Sequence, residues 1–355
     1  MTGNEAVAWG ALAAGAEIMY GYPITPQNQI MHTWARLLPQ FGRKFLQTED
    51  EISAGFTTIG GVLTGKRAFT ATAGPGHVIM QDAMSMAEMM RLPVVFIIQQ
   101  RGGPSTATVI YSQSELVLTT HGGNGEGMRI VYSTSSHQEL FDYTIKAFNT
   151  AWKYRYPTFV LGDGYQAEMR ESLTIYDPEA RGIKMVPAEP YVGADGVPGK
   201  DREPLQLRNT YNTEEELYEV MSGNIKNFKK ITPEILEWQS IEAEDAEILI
   251  VAHGIISRAS HGAVNNLRAK GIKAGLFRPI TVQPFPDEAL RKAAEGKKIV
   301  IIPESAFEQL ATKVKRGMYG MNVPLDAFSM PGIGITSEEI EERVIQVHEK
   351  QMVRK

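Results

Sequence analysis

The run Leu92-Pro93-Val94-Val95-Phe96-Ile97-Ile98 most limits what this chain can fold into. It is far short of the roughly 20 apolar residues that a membrane helix needs. It is apolar at consecutive positions, whereas a strand with one wet face would alternate. Followed by the polar Gln99-Gln100-Arg101, it fits a strand buried on both faces of a parallel sheet that helices cover. Further strand candidates stand at 17–20, 44–47, 67–72, 129–132 and 158–161. Helical patterns fill most of the gaps, at 27–38, 51–63, 78–90 and 138–153. Strands that alternate with helices predict an α/β fold with a doubly wound parallel sheet. Thr2-Gly3-Asn4-Glu5 has the form of a capping box that opens the first helix.

The chain has 355 residues, room for two or three domains. Between Tyr176 and Asn212 the pattern breaks: Pro178, Pro187, Pro190, Pro198 and Pro204 lie among glycines and charges, as in a linker or insertion. A connecting helix is expected over 213–238. A second α/β unit starts near Ala246, with strands at 248–251, 273–277 and 298–302 and helices at 257–270 and 287–294. A last helix opens on the capping box Thr336-Ser337-Glu338-Glu339. The expected division is 1–175 for the first α/β domain, 176–240 for the linker and connecting helix, and 241–355 for a smaller α/β domain.

Composition removes several functions. There is no cysteine, so no cysteine nucleophile, thiolate zinc site or iron–sulfur cluster can be held by this chain. Electron carriers, if the chemistry is redox, sit on another chain. A net charge of −5 does not suit nucleic acid or an anionic membrane as the main partner. No basic segment precedes an apolar stretch at the N-terminus, so the expected compartment is the cytoplasm.

In an open parallel sheet, ligands bind beyond the carboxyl ends of the strands. The first such turn is Gly21-Tyr22-Pro23-Ile24-Thr25-Pro26, whose prolines stiffen the backbone around one hydroxyl. Thr25 either faces a ligand there or caps the following helix, with Pro26 at its first position. The second turn, Thr48-Glu49-Asp50-Glu51, sets acids at a helix start, where they commonly serve the helix dipole. The helix that follows is small-residue rich (Ala54, Gly55, Gly60, Gly61) and nearly uncharged, hence buried. Burial raises a carboxyl's pKa and makes Glu51 a candidate for handling protons. The third turn, Ala73-Gly74-Pro75-Gly76-His77, either faces an anion or simply joins strand to helix. His77 there is more simply a packed or capping side chain. The fourth, Gln99-Gln100-Arg101-Gly102-Gly103-Pro104, offers Arg101 to a carboxylate, or is a surface arginine. The glycine loop 121–127 is either a lid or an ordinary connection. Gly162-Asp163-Gly164 has the start of a thiamine-enzyme metal motif, but no asparagine stands between Gly164 and Lys200, so Asp163 is read as structural. No metal ligand is assigned in this chain.

Taken in order and spacing, GYPITPQNQI, LQTEDEISAG and QQRGGPST resemble the α subunit of 2-oxoacid:ferredoxin oxidoreductases. HGIISRASHGAVNNLRAKGIKAGLFRPITVQPFP and VIIPESAFEQLA are similar to that family's transketolase-C-like domain. The resemblance covers most of the chain except 176–212. It implies thiamine diphosphate and magnesium as cofactors, with the pyrimidine side of the site on this chain. It implies a β subunit that carries the diphosphate side and an iron–sulfur cluster, 4Fe-4S clusters on partner chains only, and further γ and ferredoxin-like δ subunits. By the same resemblance Glu51 hydrogen-bonds the aminopyrimidine and is the catalytic residue. Pro23, Ile24 and Gly74 line the cofactor, and Thr25 and Arg101 bind the substrate carboxylate. The implied reaction converts a 2-oxoacid and coenzyme A to an acyl-CoA and carbon dioxide, with electrons passed to ferredoxin. YSQSE with the 122–127 glycines is closer to the 2-oxoisovalerate type, and RGGPST to the 2-oxoglutarate type; Ala107–Tyr111 departs from the common pattern. The rival in another class is a non-catalytic scaffold subunit that keeps the fold. A dinucleotide oxidoreductase would need a Gly-x-Gly-x-x-Gly after a strand, and there is none.

Overall fold

The computed structural model describes residues 1–192 and 207–353. Pro198 and Pro204 of the proline-rich segment lie outside the described residues. The strands are β1 (Ile18–Gly21), β2 (Lys44–Gln47), β3 (Ala68–Thr72), β4 (Val95–Gln100), β5 (Ile130–Ser133), β6 (Thr158–Asp163), β7 (Trp238–Ile241), β8 (Ile248–Val251), β9 (Ala274–Pro279), β10 (Thr281–Gln283), β11 (Ile299–Glu304) and β12 (Leu325–Ser329). The helices are α1 (Gly3–Ala13), α2 (Asn28–Phe41), α3 (Glu51–Leu63), α4 (Gly74–Ile79), α5 (Gln81–Met89), α6 (Leu116–His121), α7 (His137–Tyr154), α8 (Gly164–Glu168), α9 (Glu214–Ile235), α10 (Gly254–Ala269), α11 (Asp287–Ala294), α12 (Gln309–Gly317) and α13 (Ser337–Val353).

Two sheets result. The first has the order β10-β5-β6-β4-β3-β1-β2, parallel except for β10, and the second has the order β12-β11-β8-β9-β7, parallel except for β7. β4 lies in the middle of the first sheet, and Val95, Phe96, Ile97 and Ile98 are wholly buried. Each such side chain contributes about 1.5–3 kcal/mol by leaving water, which fixes this strand as the spine of the domain. β10 is the exception to chain order. It comes from between the second-sheet strands β9 and β11, yet it pairs antiparallel with β5 at the edge of the first sheet.

Local chemistry explains the elements that place the site. Thr2 and Glu5 form the reciprocal capping box on α1, and Thr336 and Glu339 do so on α13. Asp50 caps α3 by accepting from Ser53 N at 2.7 Å. α3 lies so close to α5 that a β-carbon at Gly55 would overlap Ala83 and Met80. The small residues of α3 are therefore packing positions, and they draw Glu51 into the interior.

Some expectations are corrected. The helix expected at 78–90 is two helices, which meet at Met80. The helix expected to reach 238 stops at Ile235, because Trp238 begins a strand of the second sheet. Thr25 does not cap α2: the cap position is Gln27, without a side-chain cap bond, and Thr25 stands exposed in the turn before it. No helix among the described residues is long and apolar enough to cross a membrane.

Candidate active site

The carboxyl ends of β1, β2, β3 and β4 bring four turns together. Glu51 is the first residue of α3 and is only 6% exposed. Its carboxyl lies against the β3–α4 turn, where a β-carbon at Gly76 would collide with Glu51 Oε1 and with Thr72 Oγ1. Glycine is required at 76 by that close approach. Among the described residues no other side chain hydrogen-bonds the Glu51 carboxylate, and the neighbouring Thr72 hydroxyl is buried without a partner. Burial is the largest influence on Glu51 and pushes its pKa above the usual carboxylate range; the charge of Asp50 adds to this. The glutamate's own backbone N–H and the Arg101 guanidinium pull the other way.

Arg101 follows β4 and is buried. Its Nη1 donates to the carbonyl of Thr25 at 2.9 Å, while Nε is buried with no partner. It passes so near Gly74 that a β-carbon there would collide with Nε, and Gly74 has φ +50°. The structure thus brings Thr25, Glu51, Gly74 and Arg101 to one end of one sheet. Pro23 and Ile24 lie in the same turn as Thr25, Pro23 exposed and Ile24 half-buried. His77 is wholly buried, with Nδ1 2.8 Å from Glu115 Oε2 and Nε2 without a partner.

Glu115 is the residue of this corner that sequence reasoning missed. Its carboxylate accepts from Arg101 N at 2.9 Å and from Gly74 N at 3.0 Å. It lies in a polar segment with no periodicity, and its partners come from turns 14, 38 and 41 residues away, so no local signal marks it.

Contacts bear on two other readings. Asp163 caps α8 by accepting from Gln166 N at 3.0 Å, and complete burial pushes its carboxyl up to about 7. The 121–127 loop is latched: Glu88 accepts from Glu126 N and Met128 N, and Arg129 Nη2 donates to Gly122 O at 2.6 Å. A cavity of about 610 Å³ between α5, this loop and the start of α9 contains none of the strand-end residues.

What the corner can do follows from its donors and acceptors. A buried carboxyl with a raised pKa and no side-chain hydrogen bond among the described residues suits sharing a proton with a ring nitrogen, and the unpartnered Thr72 hydroxyl beside it leaves polar capacity. These residues fit the aminopyrimidine half of thiamine diphosphate. They do not fit its metal-bound half: among the described residues no group of three His, Cys, Asp or Glu side chains could hold a metal ion. Arg101 suits a carboxylate. Ile52, Val78, Ile79 and Ile110 stand exposed on the turns and helices around it.

Comparison with known proteins shows the family. Residues 9–238 match the pyruvate flavodoxin/ferredoxin oxidoreductase family in its thiamine diphosphate-binding part, and residues 246–345 match pyruvate:ferredoxin oxidoreductase core domain II. The chain is 37% identical over 337 residues to the 2-oxoglutarate synthase subunit KorA of Methanocaldococcus jannaschii, with 89% of this chain and 90% of that one covered. It is 36% identical over 316 residues to the ketoisovalerate oxidoreductase subunit VorB of Methanothermobacter marburgensis, with 88% of each covered. A solved 2-oxoglutarate:ferredoxin oxidoreductase from Magnetococcus marinus, with 2-oxoglutarate, coenzyme A and succinyl-CoA bound, is similar at a TM-score of 0.82 and 28% identity. The match covers 98% of this chain, which spans 64% of the length of that one. A split-gene transketolase chain, at a TM-score of 0.60 and 15% identity, shares the fold.

Proposed function

This chain belongs to the pyruvate flavodoxin/ferredoxin oxidoreductase family, and from that premise we propose that it is the α subunit of a 2-oxoacid:ferredoxin oxidoreductase. The reaction takes 2-oxoglutarate or 2-oxoisovalerate with coenzyme A to an acyl-CoA and carbon dioxide, and passes two electrons to ferredoxin. The observation that carries this reading is the Glu51 corner: a buried carboxyl to which no other side chain hydrogen-bonds among the described residues, beside a buried arginine whose Nε is unpartnered.

Thiamine diphosphate, when bound, supplies the nucleophilic carbon and takes up the electrons left as carbon dioxide departs. Glu51 holds a proton against the pyrimidine ring, and its raised pKa keeps that proton shared instead of lost to solvent. Pro23, Ile24 and Gly74 line the ring. Arg101 and Thr25 hold the oxoacid carboxylate, and a buried guanidinium gives such a contact about 1.5–3 kcal/mol.

The rest of the site comes from partners. The exposed apolar rim around Glu51 and the absence of cysteine support a β subunit that carries the diphosphate, magnesium and an iron–sulfur cluster. Further γ and ferredoxin-like δ subunits and ferredoxin complete the electron path, with 4Fe-4S clusters on partner chains only. The complex is cytoplasmic. Within this chain, 1–175 is the pyrimidine-binding domain, 176–240 the linker and connecting helix, and 241–355 the transketolase-C-like domain, which lends β10 to the first sheet.

The test is viologen reduction by the natively purified complex with coenzyme A and a panel of pyruvate, 2-oxoglutarate, 2-oxoisovalerate and an aromatic oxoacid. Reduction with 2-oxoglutarate or 2-oxoisovalerate is expected. Silence with every oxoacid, in a complex that holds thiamine diphosphate and intact clusters, would overturn the reading.

A further inference from the structure

We propose that Glu115 is a positioning residue for the oxoacid site and that the second domain sets its place through Gln113. The proposal rests on the functional reading above. One carboxylate receives the backbone N–H of Arg101 at 2.9 Å and that of Gly74 at 3.0 Å, together with His77 Nδ1 at 2.8 Å. The Arg101 side chain runs against Gly74 on its way to the Thr25 carbonyl. Glu115 therefore fixes both the root of Arg101 and the turn that the arginine lies against. An ionised carboxylate only accepts, which matches the two backbone N–H groups and the His77 tautomer that has its proton on Nδ1.

The segment that carries Glu115 is gripped by the second domain. Gln113 Nε2 donates to His253 O at 2.9 Å, and Gln113 Oε1 accepts from Ser305 N at 3.1 Å. Gln113 N donates to Ser305 O at 3.0 Å, and Ser112 Oγ donates to the same carbonyl at 3.1 Å. Gln309 bonds both Ser114 O and Val117 N, so the grip continues past the glutamate. Tyr111 stacks on Tyr165 with ring centroids 4.2 Å apart, which anchors the other end to α8. His253 and Ser305 stand at the carboxyl ends of β8 and β11. The loops of the second sheet thus hold a lever whose tip is Glu115. A movement of the second domain relative to the first would move Arg101 through these bonds.

Two variants of the assembled complex test this. In Glu115→Gln the oxoacid KM rises about tenfold, thiamine diphosphate affinity and kcat stay within about twofold, and Glu115→Asp recovers part of the loss. Hydrogen exchange gives a readout independent of turnover. The amides of Gly74 and Arg101 exchange faster in Glu115→Gln, and also in Gln113→Ala, where Glu115 itself is intact. An unchanged KM in a folded, assembled Glu115→Gln complex would overturn the positioning role. Faster exchange confined to 110–118 in Gln113→Ala, with Gly74 and Arg101 as protected as in the parent, would overturn the lever. A parent complex silent with every oxoacid would refute the function alone, and the exchange of Gly74 and Arg101 would still decide the lever.

Discussion

Two buried glutamates on neighbouring helices have opposite surroundings. Glu88 on α5 is 1% exposed and accepts from Glu126 N at 2.8 Å, Met128 N at 3.1 Å and Arg129 Nε at 3.1 Å. Arg129 is itself wholly buried, and its remaining nitrogens reach Gln81 Oε1 and Gly122 O. Every charge in that cluster is answered within the chain, and the result is a latch on the 121–127 loop. Glu51 on α3 is nearly as buried, yet among the described residues no other side chain hydrogen-bonds it, and its own backbone N–H and the Arg101 charge are what favour its ionised form. A buried carboxylate that no side chain of the chain hydrogen-bonds persists at a site whose partner is not part of the chain. On the proposed function, the contrast separates a structural charge from one held for a ligand.

The sharpest way to break the contrast is to neutralise each side in turn. Glu51→Gln lowers viologen-coupled turnover by about 10²- to 10⁴-fold, the range of a lost general acid–base group. Its stability moves the other way. Because the folded pKa of Glu51 is raised, the protonated form is the one that favours folding, and that advantage is lost as pH rises through the folded value. A neutral glutamine has no such loss, so the variant melts at or above the parent at pH 8. Full turnover in Glu51→Gln would remove Glu51 from the chemistry and bring back the scaffold reading. Arg129→Met behaves in reverse: it leaves Glu88 buried and unpaired, and costs about 3–5 kcal/mol in a denaturant melt. The oxoacid KM of the folded fraction is unchanged. A shift in that KM would show that the latch and the site are one unit.

How much of this was legible in the sequence follows the same division. Strands 44–47 and 248–251 and helices 51–63 and 287–294 are where pattern and caps placed them, because their signals are local. Turns at strand ends also led to Glu51 and Arg101, since sheet topology alone directs ligands there. β10 was not legible: the three residues Thr281–Gln283 carry no period, and their partner β5 lies about 150 residues earlier in the chain. Glu115 and Gln113 were hidden for the same reason, as every bond that defines them is non-local. Thr25 failed as a cap because α2 starts later than its proline suggested.

Arg101 gives the next, smaller effect. Arg101→Ala raises the oxoacid KM by about 10- to 100-fold, the value of one charge-assisted contact, with a lesser change in thiamine diphosphate affinity. The Thr25 carbonyl also loses its donor, so Arg101→Lys separates charge from shape: a single ammonium restores attraction but not the forked guanidinium geometry, and recovers only part of the KM. Complete recovery by lysine would mean that Arg101 acts as a point charge at a distance and not as a carboxylate fork.

The smallest effect tests whether the Glu51 corner is tuned or merely buried. Asp50 sits one residue before Glu51, caps α3 through Ser53 N, and its charge helps to raise the Glu51 pKa. Asp50→Asn keeps the cap, since asparagine is an equally good N-cap, but removes the charge. Losing a like charge favours ionisation of Glu51, so the limb of the pH–rate profile that reports Glu51 moves to lower pH. Exposure of the Asp50 carboxylate to water screens the interaction, so the shift is small. It shrinks as salt is added, while the melting temperature stays put. A profile that does not move at low salt would leave burial as the whole cause of the raised pKa. Glu51 would then differ from Glu88 only in what each glutamate lacks or finds for a partner.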